Sequence, residues 1–116
     1  MNFTATAYVP TSEWIMVLAK PGFRLRDRGA SGVGDVWRIN QDTGNAHPAS
    51  FPIGLPARAI ETTAPRLVLD PFAGSGTTLR AALDNGRKAI GCEIDERYCE
   101  VIARRLSQGA LDLFAA

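Results

Sequence analysis

The run Asp70-Pro71-Phe72-Ala73-Gly74-Ser75-Gly76-Thr77-Thr78 carries the strongest chemical signal in the chain, and Glu93 follows Gly76 by 17 residues. Glycines between hydroxyl-bearing residues let a ligand approach the backbone closely, and a helix that begins directly after them presents N–H groups without intrahelical partners. A carboxylate at the end of the following strand stands where ribose hydroxyls are received. Together these residues describe a pocket for a nucleoside-bearing cofactor. The plain alternatives are turn glycines that bind nothing and a glutamate that is only solvated. A buried strand before the turn and a helix after it favour the binding loop.

Spacing separates three ligands. A dinucleotide fingerprint needs a third glycine three residues after Gly76, but Leu79 stands there, so neither the pyrophosphate seat nor the close helix-to-strand packing of that motif is supported. A phosphate-binding P-loop needs a lysine followed by Ser or Thr, and no lysine lies between Gly74 and Gly86. A cofactor with an adenosine and an amino-acid tail but no phosphate suits the loop better, because Asp70 can receive an ammonium and Glu93 a ribose diol. S-adenosylmethionine answers that description. A nicotinamide-dependent oxidoreductase is the rival enzyme class, with the missing third glycine against it.

These residues must be held by a βαβ unit. Arg66-Leu67-Val68-Leu69-Asp70 reads as a buried strand, Thr77 to Asn85 as a helix stopped by Gly86, and Lys88 to Ile94 as the next strand. Asp95 then caps a helix whose apolar stripe is Tyr98, Val101, Ile102 and Leu106. The usual handedness makes the crossover right-handed and the strands parallel. Upstream, Leu55, Ala59 and Ile60 recur at helical spacing, with a start near Pro56 and an end by Ala64-Pro65. Glu13-Trp14-Ile15-Met16-Val17-Leu18-Ala19-Lys20, between Pro10 and Pro21, reads as a further buried strand, and Val36-Trp37-Arg38-Ile39 as a short one within a glycine-rich loop. The tail from Gln108 to Ala116 reads as frayed or dependent on a partner.

A chain of 116 residues supports one core at most, and 46% hydrophobic with 22% charged residues is an ordinary globular composition. The formal net charge of +1 gives no bulk attraction to nucleic acid or membrane, so contact with DNA has to be local. Arg24, Arg26 and Arg28 alternate, which on an extended segment points them to one side for phosphates or simply into solvent. Trp14 and Trp37 read as core or interface anchors, and His47 as a loop-packing residue. Cys92 and Cys99 fit neither a metal knuckle nor a redox pair and read as reduced packing residues. With no leader pattern and no apolar run of about 20 residues, the expected place is the cytoplasm, with no membrane partner.

The stretch from His47 to Leu106 resembles the cofactor-binding half of the DNA amino-methyltransferases, which modify the exocyclic amine of adenine (N6) or cytosine (N4), in the permuted order where the catalytic segment precedes the cofactor loop. EWIMVLAK and GDVWRI resemble the family's preceding strand and loop. The resemblance implies an α/β, Rossmann-like S-adenosylmethionine-dependent methyltransferase fold with an incomplete sheet. It divides the chain into a strand and glycine-loop region (1–46), a cofactor-binding half (47–107) and a tail (108–116). The implied cofactor residues are Asp70 for the methionine ammonium, Phe72 packed on the cofactor, then Ala73, Gly74, Ser75, Gly76 and Thr77 along the loop, and Glu93 on the ribose. The segment matching His47 to Pro52 would line the methionine side.

The family's catalytic tetrapeptide, Asp, Asn or Ser followed by Pro-Pro and an aromatic, has no counterpart, because the sequence contains no Pro-Pro. Asp70-Pro71-Phe72 is only superficially like it, since the glycine turn assigns Asp70 to the cofactor loop. No catalytic or metal residue is therefore expected in this chain. The expected form is a fragment, one half of a split enzyme, or a degenerate remnant, with DNA reached through a complementing segment, a second polypeptide or another copy. A non-catalytic S-adenosylmethionine-binding or regulatory module is the alternative class.

Overall fold

Among the described residues two short parallel strands and three helices carry the architecture. The computed structural model describes residues 11–25, 34–40 and 51–114, with side chains as far as residue 108. In chain order the elements are α1 (Gly54–Thr63), β1 (Leu67–Asp70), α2 (Thr77–Asp84), β2 (Lys88–Gly91) and α3 (Glu96–Phe114). The class is α/β, and the βαβ unit is as the sequence implies. β1 pairs with β2 in parallel, Leu67 opposite Lys88 and Asp70 opposite Gly91.

Each element ends for a local reason. Pro56 lies in the first turn of α1, where its missing N–H has no intrahelical acceptor to lose, so the helix begins two residues before it rather than at it. Ala64 closes α1 in the left-handed region, and Pro65 prevents continuation. α2 ends in a Schellman turn: Gly86, at φ +67°, donates its N–H to Leu83 O, and Arg87 donates to Ala82 O. α3 is capped by Asp95, whose Oδ1 accepts the Arg97 N–H at 3.0 Å, while the Arg97 guanidinium bonds the same carboxylate. These bonds from Arg97, side chain first and backbone second, hold the Asp95 carboxyl below the usual aspartate range. Asp95→Ala removes the cap and is expected to lower Tm by about 4–8 °C in a thermal melt.

The core sits between α1, α2 and one face of the sheet. Ile60, Ala81 and Ala82 are buried together, and Val68, Ala89, Ile53 and Ala57 pack against them. Ala81 and Ala82 are small enough to bring α1 close to α2. Along α2 the buried positions are Thr77, Leu79, Ala81 and Ala82. Among the described residues nothing covers the other face of the sheet, where Leu67 and Ile90 are half exposed and Leu69 is 62% exposed. The strand residues therefore alternate, but with apolar side chains on both faces.

Several expectations are corrected. Residues 13–20 form no strand: among the described residues they meet no ladder, and Trp14 is 99% exposed rather than part of a core. A strand exists only where a neighbour accepts its hydrogen bonds, and apolar character cannot supply one. Residues 36–39 are likewise not a strand; Trp37 donates to Gly34 O and lies under the Arg58 guanidinium, 5.5 Å from the ring centroid. β2 stops at Gly91, opposite the last residue of β1, rather than reaching Ile94. α3 continues through Gln108 to Phe114, so the segment read as frayed or dependent on a partner is helical as far as residue 114. Cys92 and Cys99 are free and exposed, not packing residues. His47, Arg26 and Arg28 lie outside the described residues; Arg24 is exposed.

Candidate functional site

The site forms where β1 and β2 end side by side. Asp70, the last residue of β1, accepts the Phe72 N–H on Oδ1 at 3.0 Å, which turns the chain out of the sheet. Its carbonyl accepts from Cys92 N and Cys92 O accepts from Ala73 N, both at 2.9 Å, so the ladder carries on into the loop. Asp70 Oδ2 has no partner among the described residues. Phe72 is 88% exposed, Ala73 is buried, and Gly74 and Gly76 have φ of +51° and +82°. Gly76 N donates to Ala73 O at 2.7 Å and its carbonyl starts the hydrogen bonds of α2. Thr77 is buried.

Glu93, two residues beyond β2, turns back onto this loop. Its Oε2 accepts the Gly74 N–H at 2.8 Å and its Oε1 accepts the Asp95 N–H at 2.9 Å. One carboxylate thus ties the glycine loop of the first strand to the start of α3. The Asp95 N–H bond is the main reason the Glu93 carboxyl is held below the ordinary glutamate range; the Gly74 and Ile94 N–H groups add to it, against partial burial and the nearby Asp95 carboxylate. Each oxygen keeps a further lone pair, so two more donors can be received without breaking either bond.

All eight residues singled out from sequence, Asp70, Phe72, Ala73, Gly74, Ser75, Gly76, Thr77 and Glu93, fall in this one place. The expected lack of close helix-to-strand packing is corrected. Leu79 occupies the position of the missing third glycine, but the space is provided by Gly91 on β2: a Cβ there would lie 2.6 Å from Leu79 Cδ1. The glycine sits on the strand and the large side chain on the helix, the reverse of the dinucleotide motif.

Arg105 is the residue that sequence reading missed. From α3 it donates to Ser75 O at 3.2 Å and to Thr77 Oγ1 at 3.3 Å. Its signal was present: it lies three residues after Ile102 and one before Leu106, a basic residue at the border of the apolar stripe.

A parallel βαβ unit whose first turn holds two left-handed glycines, and whose second strand leads to a carboxylate bonded back to that turn, is the arrangement on which α/β proteins commonly seat a nucleoside. The DNA methylase family, the N6/N4 methyltransferases, matches residues 2–104, and the chain belongs to that family. It is similar to the type II methyltransferase M.ScaI of Streptomyces caespitosus, 38% identical over 91 residues, covering 69% of this chain and 30% of that protein. It is also similar to the type II methyltransferase M2.MboI of Moraxella bovis, 32% identical over 120 residues, covering 90% of this chain and 44% of that protein. A solved structure, the M1.HpyAVI–SAM complex, superposes with a TM-score of 0.49 at 33% identity over 53% of this chain and 32% of that one. The chain thus spans less than half the length of these relatives. Among the described residues no helix is long and apolar enough to cross a membrane.

Proposed function

We propose that this chain is the S-adenosylmethionine-binding half of an enzyme that methylates the exocyclic amine of adenine or cytosine in DNA, and that polypeptide outside these 116 residues completes it. The observation that carries the cofactor reading is the Glu93 carboxylate bonded to Gly74 N at 2.8 Å, which sets an acceptor for a ribose diol at the mouth of the glycine loop. Asp70 stands at the neighbouring strand end. Two carboxylates beside one loop repel a phosphate and favour an ammonium and hydroxyls, so the residues present fit this cofactor better than a nucleotide.

In this reading Asp70 Oδ2 receives the methionine ammonium, the exposed Phe72 ring packs on the cofactor, residues 73–77 admit it along the backbone, and Glu93 takes the ribose hydroxyls on its remaining lone pairs. When bound, the cofactor supplies a methyl group activated by a sulfonium. The half-enzyme reading rests on two further observations: the sequence has no Pro-Pro to hold a target base, and among the described residues nothing covers one apolar face of the sheet. A second copy of this chain could cover that face but would bring no Pro-Pro segment. The completing segment is therefore one of different sequence, on a continuation of this chain or on another polypeptide, and DNA is reached through it.

The test is a thermal-shift and calorimetric titration of the chain with S-adenosylmethionine, its demethylated product and NAD. The first two are expected to raise Tm, since a ligand at a hundred times Kd that binds only the folded state adds about 2.7 kcal/mol. Silence toward all three would remove the pocket, and a response to NAD alone would move it to the oxidoreductases. A labelled-methyl assay on DNA is expected to show no turnover by the chain alone. Robust incorporation without a partner would refute the half-enzyme reading, whereas cofactor binding with no activity beside any candidate complement would favour a non-catalytic module.

A further inference from the structure

We propose that Arg105 is a positioning residue for the glycine loop, its guanidinium fixing the Ser75 carbonyl and the Thr77 hydroxyl so that the loop keeps the shape that receives the cofactor. Arg105 Nη1 lies 3.2 Å from Ser75 O, 3.5 Å from Ser75 Oγ and 3.3 Å from Thr77 Oγ1, across 28 to 30 residues of sequence. Ile102, one turn earlier on α3, presses on the residue between them: a Cβ on Gly76 would lie 3.0 Å from Ile102 Cγ1. One face of α3 thus meets three successive loop residues, 75, 76 and 77. From the other side, Glu93 holds Gly74 N. The loop is gripped at both ends.

Charge does not explain the placement. The ion pairs among the described residues are Arg80–Asp84, Arg97–Asp95 and Arg104–Glu100, and Arg105 has no carboxylate partner there. It sits beside the N-terminus of α2, where the helix dipole opposes a cation. Its contribution is directional: the N–H groups of one nitrogen, Nη1, held in the guanidinium plane, serve a carbonyl and a hydroxyl together, whereas a lysine ammonium ends a flexible stem that no plane orients.

The consequence for binding rests on the cofactor reading above; the grip on the loop does not. The experiment therefore pairs two measurements on the full chain: amide hydrogen exchange without ligand, and calorimetric titration with S-adenosylmethionine. Arg105→Ala is expected to speed exchange at residues 74–77 about tenfold more than in β1 or the middle of α2, and to raise Kd about tenfold. Arg105→Lys recovers only part of either loss, and Thr77→Val, which spares the Ser75 contact, gives a smaller local effect. Uniform acceleration of all protected amides would make Arg105 a general stability residue and overturn the proposal. Loop exchange in Arg105→Ala within twofold of wild type would overturn it as well. If the unaltered chain binds no S-adenosylmethionine, the cofactor reading falls and the exchange data alone decide on Arg105. If Arg105→Ala does not fold, local acceleration in Thr77→Val and Arg105→Lys supports the grip, and its absence in both rejects it.

Discussion

Glutamine in place of Glu93 is expected to weaken S-adenosylmethionine binding about a hundredfold in a calorimetric titration, the loss of roughly two charge-assisted hydrogen bonds. The carboxylate has two tasks that an amide cannot combine. Both of its oxygens accept backbone N–H groups, from Gly74 and from Asp95, whereas glutamine has one acceptor oxygen and turns an NH2 toward the other donor. In the proposed complex the same two oxygens also receive the ribose. An affinity within threefold of the unaltered chain would show that Glu93 only braces the loop. Acidity gives a second check. The Glu93 pKa is lowered in the folded chain, first by the Asp95 N–H and then by the Gly74 N–H, so its stabilising effect is complete above the ordinary carboxylate range, near 4.3, and is lost as pH falls through the lowered value. The stability gap between the unaltered chain and Glu93→Gln is therefore expected to be constant from pH 6 upward and to close under acid. A gap that widens on acidification contradicts the bonding described.

Alanine at Gly76 is expected to cost about 2–3 kcal/mol in a urea titration, while alanine at Gly74 costs only about 1 kcal/mol. Both glycines have positive φ, so both substitutions carry the penalty of a left-handed backbone. They differ in what the new methyl group meets. At Gly74 nothing lies within 4 Å of it; at Gly76 it would stand 3.0 Å from Ile102 Cγ1, and Ile102 is a β-branched side chain on α3 with little freedom to turn away. Gly76→Ala must therefore shift α3 or the loop, and with either goes the grip of Arg105 on residues 75 and 77. Equal losses for the two variants would mean that α3 is not seated on the loop as described.

How much of this was legible in the sequence depends on how local each feature is. The glycine loop, the end of α2 at Gly86 and the cap at Asp95 are each fixed by a few consecutive residues, and each is where the pattern put it. The convergence of Asp70, the loop and Glu93 was also readable, because parallel strands joined by one helix bring their ends together. Three features were not. Residues 13–20 look like a strand because they are apolar, but strand formation needs a partner ladder, and periodicity contains no information about one. The Glu93 bond to Gly74 spans 19 residues and depends on the strand register, Asp70 opposite Gly91. Arg105 was hidden because a charge at the border of an apolar stripe reads as solvated unless the opposing backbone carbonyl is known.

The sheet face and the run from Trp14 to Leu18, neither of them covered or paired among the described residues, also govern how the protein behaves in a cell or a test tube. Among the described residues the two-stranded ribbon has no partner strand at either edge, and open edges next to apolar side chains recruit whatever strand is nearest, a chain of the same kind included. Soluble yield of these 116 residues is thus expected to rise when the proposed completing segment is present, fused or co-produced, and to fall as concentration rises when it is absent.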